Sequence, residues 1–165
     1  MTAIYKRELK TFFTTVTGWL FIAVHICLAG LYFFAINLLS GYSNVGQSFS
    51  SILFLLLLST PILSMRMLAE ERKQKTDQLI LTSPVSIGGI VAGKYLAMAT
   101  VFTLPVAVMA LFPLILSRYG TVPMGESYTA LLAYYLFGLT CLAIGLFISS
   151  ITESPVSYTH LRAHE

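Results

Sequence analysis

Residues 16–39 have the sequence VTGWLFIAVHICLAGLYFFAINLL, an apolar run without Asp, Glu, Lys or Arg. A helix needs about 20 mainly apolar residues to cross the roughly 30 Å hydrocarbon layer of a bilayer, and this run is long enough. Three further mainly apolar runs follow, at 49–68, 95–116 and 128–151. Unpaired backbone amides are too costly in lipid for such runs to be anything but helical. The sequence therefore predicts four membrane-spanning helices.

The composition of the whole chain agrees with a membrane protein. Of 165 residues, 56% are hydrophobic and only 10% are charged, whereas about a quarter of the residues in an average soluble domain are charged. Three uncharged stretches, 11–65, 95–117 and 127–152, together cover 104 residues. This apolar composition makes disorder and nucleic-acid binding poor interpretations. A disulfide-stapled secreted domain is also a poor interpretation, because both cysteines lie inside apolar runs. The predicted fold class is an all-α integral membrane protein.

Lys and Arg are unevenly distributed between the loops, and short cytoplasmic loops retain these residues. Eight of the ten lie before the first span or between the second and third spans, and the loop at 40–48 has none. The amino terminus and the loop around residue 75 are therefore predicted to be cytoplasmic. A cleavable signal peptide is a poor alternative, because the first apolar run has 24 residues and a signal core has about 7–15.

The segment before the first span is amphipathic. Its apolar residues share one face at helical spacing: Tyr5, Leu9, Phe12, Phe13 and Val16. Lys6 and Lys10 lie elsewhere on the helical wheel. Such a helix lies along the headgroup layer before the chain turns into the bilayer. The alternative is a simple charged flank of the first span.

The second and third spans are joined by RMLAEERKQKTDQLILTSPVSIGGIVAGK, residues 66–94. Two pairs of opposite charge at i,i+4 spacing favour a helix at its start: Arg66 with Glu70, and Glu71 with Lys75. An apolar patch follows at 79–81, and Pro84 ends the helix. A charged helix with an apolar patch is suited to docking a soluble partner. The alternative is that 79–81 rest on the cytoplasmic end of the helix bundle.

Several kinds of chemistry fit the sequence poorly. Residues 88–94, GGIVAGK, resemble the opening of a phosphate-binding loop, but Tyr95 stands where a magnesium-binding Ser or Thr is needed. We interpret these glycines as helix-packing residues. His25 and Cys27 point about 200° apart on a helix and are poorly placed to chelate one metal ion. No catalytic, cofactor-binding or metal-binding residue is predicted for this chain.

Prolines within the spans remove helical hydrogen bonds and permit bends. They are Pro61 in the second span and Pro105 and Pro113 in the third. Bends near the middle of the membrane suit helices that shift as a pathway opens, and ordinary packing is the alternative. The spans contain no Asp or Glu, which weakens the interpretation as an ion-coupled carrier.

The motif R-x-x-A-E-E-R at 66–72, followed by T-D-Q-L-I-L-T-S-P-V-S at 76–86, resembles the type-2 ABC transporter permeases. The resemblance is strongest to the bacterial branch with the gliding-motility and nitrous-oxide-reductase accessory permeases, and it covers residues 1–154. It implies a membrane-surface helix and a cytoplasmic coupling helix between spans two and three. It also implies an ATPase-coupling role for eight residues: Arg66, Glu70, Glu71, Arg72, Leu79, Ile80, Leu81 and Pro84.

The same resemblance implies the partners and the location. An exporter of this family has a separate cytoplasmic ATPase, which carries the ATP and magnesium, and a second permease unit. The expected location is a bacterial or archaeal cell (inner) membrane. An ATP-independent scaffold or assembly factor that uses the same charged loop is the alternative function, and an ion-coupled carrier is the weaker one.

The end of the sequence differs in character from the rest. Permeases of the resembled family usually continue into two more membrane helices after such a segment, whereas 155–165 form a polar run with two histidines. We interpret 1–154 as a partial permease domain and 155–165 as a non-native or disordered tail. The alternative is a four-span variant with a short cytoplasmic tail.

Overall fold

The computed structural model describes the backbone of residues 2–73 and 87–161, with side chains for residues 2–60 and 88–148 other than 3 and 17. No β-strand occurs in these described ranges, so the all-α fold class is confirmed. The elements in chain order are α1 (Thr2–Thr14), α2 (Val16–Tyr32), a π-helical segment (Phe33–Leu39), α3 (Gly46–Lys73), α4 (Ile87–Met109), α5 (Phe112–Leu116) and α6 (Met124–Leu161).

Within the described residues, three helical stretches are long and apolar enough to cross a membrane: Gly18–Leu39, Gly88–Leu116 and Met124–Ile148. They coincide with the first, third and fourth predicted spans. The second predicted span lies on α3, whose described apolar part, Gly46–Thr60, is shorter than a full crossing. The count of four spans therefore stays a prediction.

The apolar side chains of the spans face outward to a large extent. Only 28% of the apolar window in Gly18–Leu39 is buried within the protein. Trp19, Leu31 and Phe54 are each more than half exposed. A monomeric soluble protein rarely exposes a continuous apolar surface of this kind. In a bilayer the same side chains contact lipid, which agrees with a multi-pass membrane protein.

The core forms around α4, which contacts α1, α2 and α6, while α3 packs along α6 and α2. Phe102 of α4 is fully buried, and its ring stacks on Tyr135 with centroids 5.9 Å apart. His25 of α2 meets the same ring edge-on at 6.2 Å. Gly138 allows α6 to approach, since a Cβ there would lie 2.3 Å from the Phe102 ring. One aromatic cluster therefore holds three helices together.

The turn between α1 and α2 is close-packed. Thr15 adopts an extended conformation between the two helices. Gly18 then passes directly beneath the end of α1, where a Cβ would lie 2.3 Å from the carbonyl oxygen of Phe12. The indole Nε1 of Trp19 donates a hydrogen bond to the Phe13 carbonyl at 2.9 Å. The angle between α1 and α2 therefore depends on the absence of a side chain at position 18.

The third predicted span is longer and less regular than the sequence indicates. Helix α4 begins at Ile87, well before the predicted start at residue 95, and it ends at Met109. A turn at 110–111 separates it from α5. Pro113 has no N–H to offer the Met109 carbonyl, which accounts for the interruption. Pro105 lies inside α4 without interrupting it.

The fourth predicted span lies within α6, which runs to Leu161 and so extends past residue 151. Residues 162–165 lie outside the described part of the chain. The domain bounds 1–154 and the interpretation of 155–165 as a non-native or disordered tail stay predictions.

Candidate functional site

The predicted coupling segment begins on the last turns of α3. Arg66, Glu70, Glu71 and Arg72 belong to the helical backbone that ends at Lys73, although their side chains are not described. Leu79, Ile80, Leu81 and Pro84 lie outside the described residues. The chain is described again from Ile87, the first residue of α4. The charged residues therefore extend one long helix whose other end is packed in the core.

Helix α3 is anchored in the core by one apolar face. Phe49, Ile52 and Leu56 are at most 2% exposed and recur at helical spacing. Val45, just before the helix, is also fully buried. The 28 residues of α3 form one helix from the loop at 40–45 to the charged end. The helical backbone of α3 therefore connects this buried face to the charged end without a break.

His25 connects α2 to α3. Its Nδ1 lies 3.1 Å from the Phe21 carbonyl oxygen, and its Nε2 lies 3.3 Å from the hydroxyl of Ser59. A carbonyl oxygen can only accept, so Nδ1 of His25 carries a proton. The hydroxyls of Ser59 and Thr60 also lie within hydrogen-bond distance of the Leu56 carbonyl, at 3.2 and 3.0 Å. This polar contact lies two residues before Pro61.

The structure places His25 and Cys27 on different sides of α2. His25 is 1% exposed, whereas the Cys27 thiol faces outward. This agrees with the angular separation expected from their spacing. The described residues contain no group of three or more His, Cys, Asp or Glu side chains that could hold a metal ion.

The three prolines predicted as bends differ in their surroundings. Pro61 lies on α3, whose helical backbone continues through it, and its side chain is not described. Pro105 is buried within α4. Pro113 is buried at the start of α5, next to the turn at 110–111. The helix is therefore interrupted next to Pro113, and a role of any of these residues as gating bends stays a prediction.

The predicted surface helix packs on α4 through part of its apolar face. Phe12 is buried, and Tyr5 and Leu9 pack partly buried against the core. The Tyr5 hydroxyl hydrogen-bonds with Oγ1 of Thr100 at 3.1 Å. Phe13, by contrast, is 36% exposed. Most of the face that the sequence groups together is therefore covered by protein, and Phe13 lies at its open margin.

The loop at 40–45 and the helix ends beside it carry a polar cluster that the sequence interpretation missed. Asn37, buried in the π-helical segment, donates from Nδ2 to the carbonyl oxygens of Tyr42 at 2.6 Å and Asn44 at 3.2 Å. It accepts from the hydroxyl of Ser48 at 2.6 Å. The Asn44 side chain donates in turn to Glu126 at 3.0 Å. A lone carboxamide in an apolar span was the available signal, because buried polar groups in a membrane need partners.

A groove of about 290 Å³ separates residues 46–53 of α3 from residues 130–137 of α6. It is lined mainly by apolar and small side chains, with Ser50 and Tyr134 as its polar members. Such a groove can accept an apolar chain or a neighbouring helix. The described lining places no His, Asp, Glu or Lys side chain beside the hydroxyls of Ser50 and Tyr134.

The glycines of the GGIVAGK run lie in the first turns of α4 and not in a loop. Gly93 lies under α1, where a Cβ would be 3.1 Å from Cγ2 of Ile4. This close approach supports a helix-packing role for Gly93, whereas a Cβ on Gly88 would meet nothing within 4 Å.

Comparison with known proteins gives one match. The family model described as "ABC-2 family transporter protein" matches residues 31–161. No curated protein shows a significant match to the chain. No solved structure shows one either.

Proposed function

Because the chain belongs to the ABC-2 family of transporter proteins, we propose that it is a permease subunit of an exporter driven by a separate ATPase docked on residues 66–86. The observation that carries the proposal is the family match over most of the chain, together with the course of α3. This helix leads from the buried face at 49–56 directly to the charged residues at 66–73.

The proposed mechanism assigns no catalytic or cofactor-binding residue to this chain. The partner ATPase binds ATP and magnesium, and its movement displaces residues 66–86. Helix α3 passes that displacement to the packed helices, where the apolar groove beside α6 supports a pathway for an apolar cargo. A second permease unit completes the pathway.

A scaffold or assembly factor independent of ATP is the second candidate function, because the charged segment could hold a partner without receiving motion from it. An ion-coupled carrier has less support, since the predicted spans contain no Asp or Glu. The first discriminating observation is whether an adjacent reading frame encodes a phosphate-loop ATPase. Co-purification of that ATPase with this chain is the second.

Reversing charges in the coupling segment is expected to uncouple the transporter. In the full-length complex, Glu70→Lys combined with Arg72→Glu should lower the permease-dependent stimulation of ATP hydrolysis about tenfold, because oriented charge contacts with the ATPase are lost. Insertion should be unchanged, since both positions follow the apolar part of α3. Stimulated hydrolysis and transport into vesicles are the two measurements.

Arg118→Glu is the matched control for the charge reversals, because this exposed cation lies between α5 and α6 and away from the coupling segment. It should leave stimulation unchanged. Full stimulation in the double variant would contradict the docking role. Normal ATPase binding together with transport that needs no ATP would favour the scaffold.

The proposed topology places the amino terminus in the cytoplasm of a bacterial or archaeal cell. In a background with Cys27→Ala and Cys141→Ala, a membrane-impermeant maleimide added to intact cells should label Ser43→Cys and Tyr119→Cys. It should label Lys75→Cys only after the membrane is permeabilised. Labelling of both Lys75→Cys and Ser43→Cys in intact cells would rule out the crossing by α3. Labelling of Lys75→Cys without Ser43→Cys would show the reverse orientation.

A further inference from the structure

One face of α1 is open and carries cations. Its exposed residues recur at every fourth position: Thr2, Lys6, Lys10 and Thr14. Glu8 and Phe12 point to the opposite side and are buried. The two lysines therefore lie one turn apart on a continuous exposed stripe, with Phe13 at its end.

The acidic side chain of α1 lies on the buried face of the helix and not on this stripe. Glu8 is the only acidic residue of α1. It is 3% exposed and forms an ion pair with Arg7 at 2.7 Å. The carboxylate therefore does not offset Lys6 and Lys10, which present their charge to the surroundings.

Contacts with the neighbouring helices fix the depth of the stripe in the membrane. Helix α1 crosses α4 at Gly93, where Ile4 packs. The next residue, Lys94, is the last cation before the uncharged stretch 95–117. On the other side, α2 begins its uncharged apolar run at Val16. Both neighbours therefore place α1 at the level where charged residues give way to apolar ones, which is the headgroup level of a bilayer.

Aromatic side chains continue the stripe on the membrane side. Phe13 and Trp19 contact each other edge to face, with ring centroids 5.7 Å apart. Both are exposed, as is Val16 at 77%. Because these residues lead directly into the lipid-facing side of α2, the stripe is continuous with the surface that contacts acyl chains.

We propose that Lys6 and Lys10 bind the headgroup phosphates of anionic phospholipids while Phe13 and Trp19 rest against the upper part of their acyl chains. The positive stripe attracts a negative headgroup, and the aromatic pair favours the interface just beneath it. Anionic lipid is thereby concentrated around the start of α2. These lipids belong to the inner leaflet. This choice of leaflet is the one part of the proposal that rests on the orientation in the proposed function.

Trp19 is the only tryptophan of the chain and reports on this site directly. The full chain, without any ATPase, is reconstituted into phosphatidylcholine–phosphatidylglycerol vesicles in which one of the two lipids carries brominated acyl chains that quench indole fluorescence on contact. With equal amounts of the two lipids in the vesicle, quenching should show that phosphatidylglycerol is enriched about fivefold over phosphatidylcholine around Trp19. Raising the salt to about 1 M, where the Debye length is about 3 Å, should abolish the preference.

Three variants complete the test. Lys6→Gln with Lys10→Gln should reduce quenching to that expected from the bulk composition, and Lys6→Arg with Lys10→Arg should retain the preference. Arg118→Gln, away from α1, should leave it unchanged. Equal quenching by both lipids in the native chain would overturn the proposal, as would an undiminished preference in the Gln variant. Absence of lipid preference in the native chain, together with weaker co-purification of the ATPase with the Gln variant in the full complex, would instead assign the stripe to the protein partner.

Discussion

Replacing Gly18 by Ala is expected to force α1 away from α2 and to disrupt its packing on α4. The added methyl group would lie 2.3 Å from the Phe12 carbonyl oxygen and 3.0 Å from its carbon. These are backbone atoms, so relief requires the turn at Thr15 to open, whereas a crowded side chain could rotate. We expect a loss of about 3 kcal/mol, at the upper end of overpacking costs. This corresponds to a lower melting temperature by about 6–12 °C in detergent.

Cross-linking gives a second, structural measurement of the same change. The Cβ atom of Ile4 lies 3.4 Å from the position of a Cβ on Gly93, a separation close to that in disulfides. In a background with Cys27→Ala and Cys141→Ala, Ile4→Cys with Gly93→Cys should therefore oxidise readily. Adding Gly18→Ala should strongly reduce the cross-linked fraction.

Gly30→Ala is the matched control, since Gly30 lies on the same helix and a Cβ there meets nothing within 4 Å. It should leave cross-linking unchanged and the stability equal or slightly higher, because Ala favours helix more than Gly by about 1 kcal/mol. If Gly18→Ala behaved like this control, the close contact between α1 and α2 would be refuted.

Replacing Gly138 by Ala is expected to destabilise the aromatic cluster between α2, α4 and α6. The new methyl group would lie 2.3 Å from Cε1 and Cζ of Phe102. That ring has little freedom to move away, because Tyr135 stacks on one side and His25 meets its edge. We expect a loss of about 2–3 kcal/mol, measured as a shift in thermal unfolding.

A compensating substitution separates this clash from a general effect of the added methyl group. Phe102→Leu removes the ring atoms that collide, so Gly138→Ala should cost much less in a Phe102→Leu background than in the native chain. The difference is the coupling energy between the two positions. Strict additivity of the two substitutions would show that Gly138 does not contact the ring.

The sequence predicted those features that follow from hydropathy and charge. Long uncharged runs identified three helical stretches long and apolar enough to span a membrane. Helical spacing grouped Tyr5, Leu9, Phe12, Phe13 and Val16 on one face, of which Phe13 and Val16 are exposed. What covers that face depends on neighbours distant in sequence, and here it is α4. The same limit applies to Glu8, whose burial beside Arg7 has no signal in the sequence.

Local geometry was less predictable than element type. Nothing in 33–39 distinguishes a π-helix from an α-helix, since the wider turn accompanies hydrogen bonds from Asn37 to the loop beyond it. Pro105 and Pro113 have the same chemistry, yet only Pro113 lies beside a helix interruption. Pro105 lies on the same helix as buried Phe102 and Val106, and its local sequence does not explain why the helix continues there. The coupling role of 66–86 stays a prediction.

The position of Ser59 within α3 determines the relative displacement of the two helix ends if α3 pivots there. Ser59 lies 13 residues after Gly46 and 14 before Lys73, so the contact with His25 is close to the midpoint of the helix. Each arm is about 20 Å long at 1.5 Å per residue. If α3 pivots about this contact, its Gly46 end moves as far as its charged Lys73 end and in the opposite direction. Such a lever does not amplify movement. Under the proposed function, the displacement that the ATPase imposes on the charged end would therefore equal the displacement at the other end of α3.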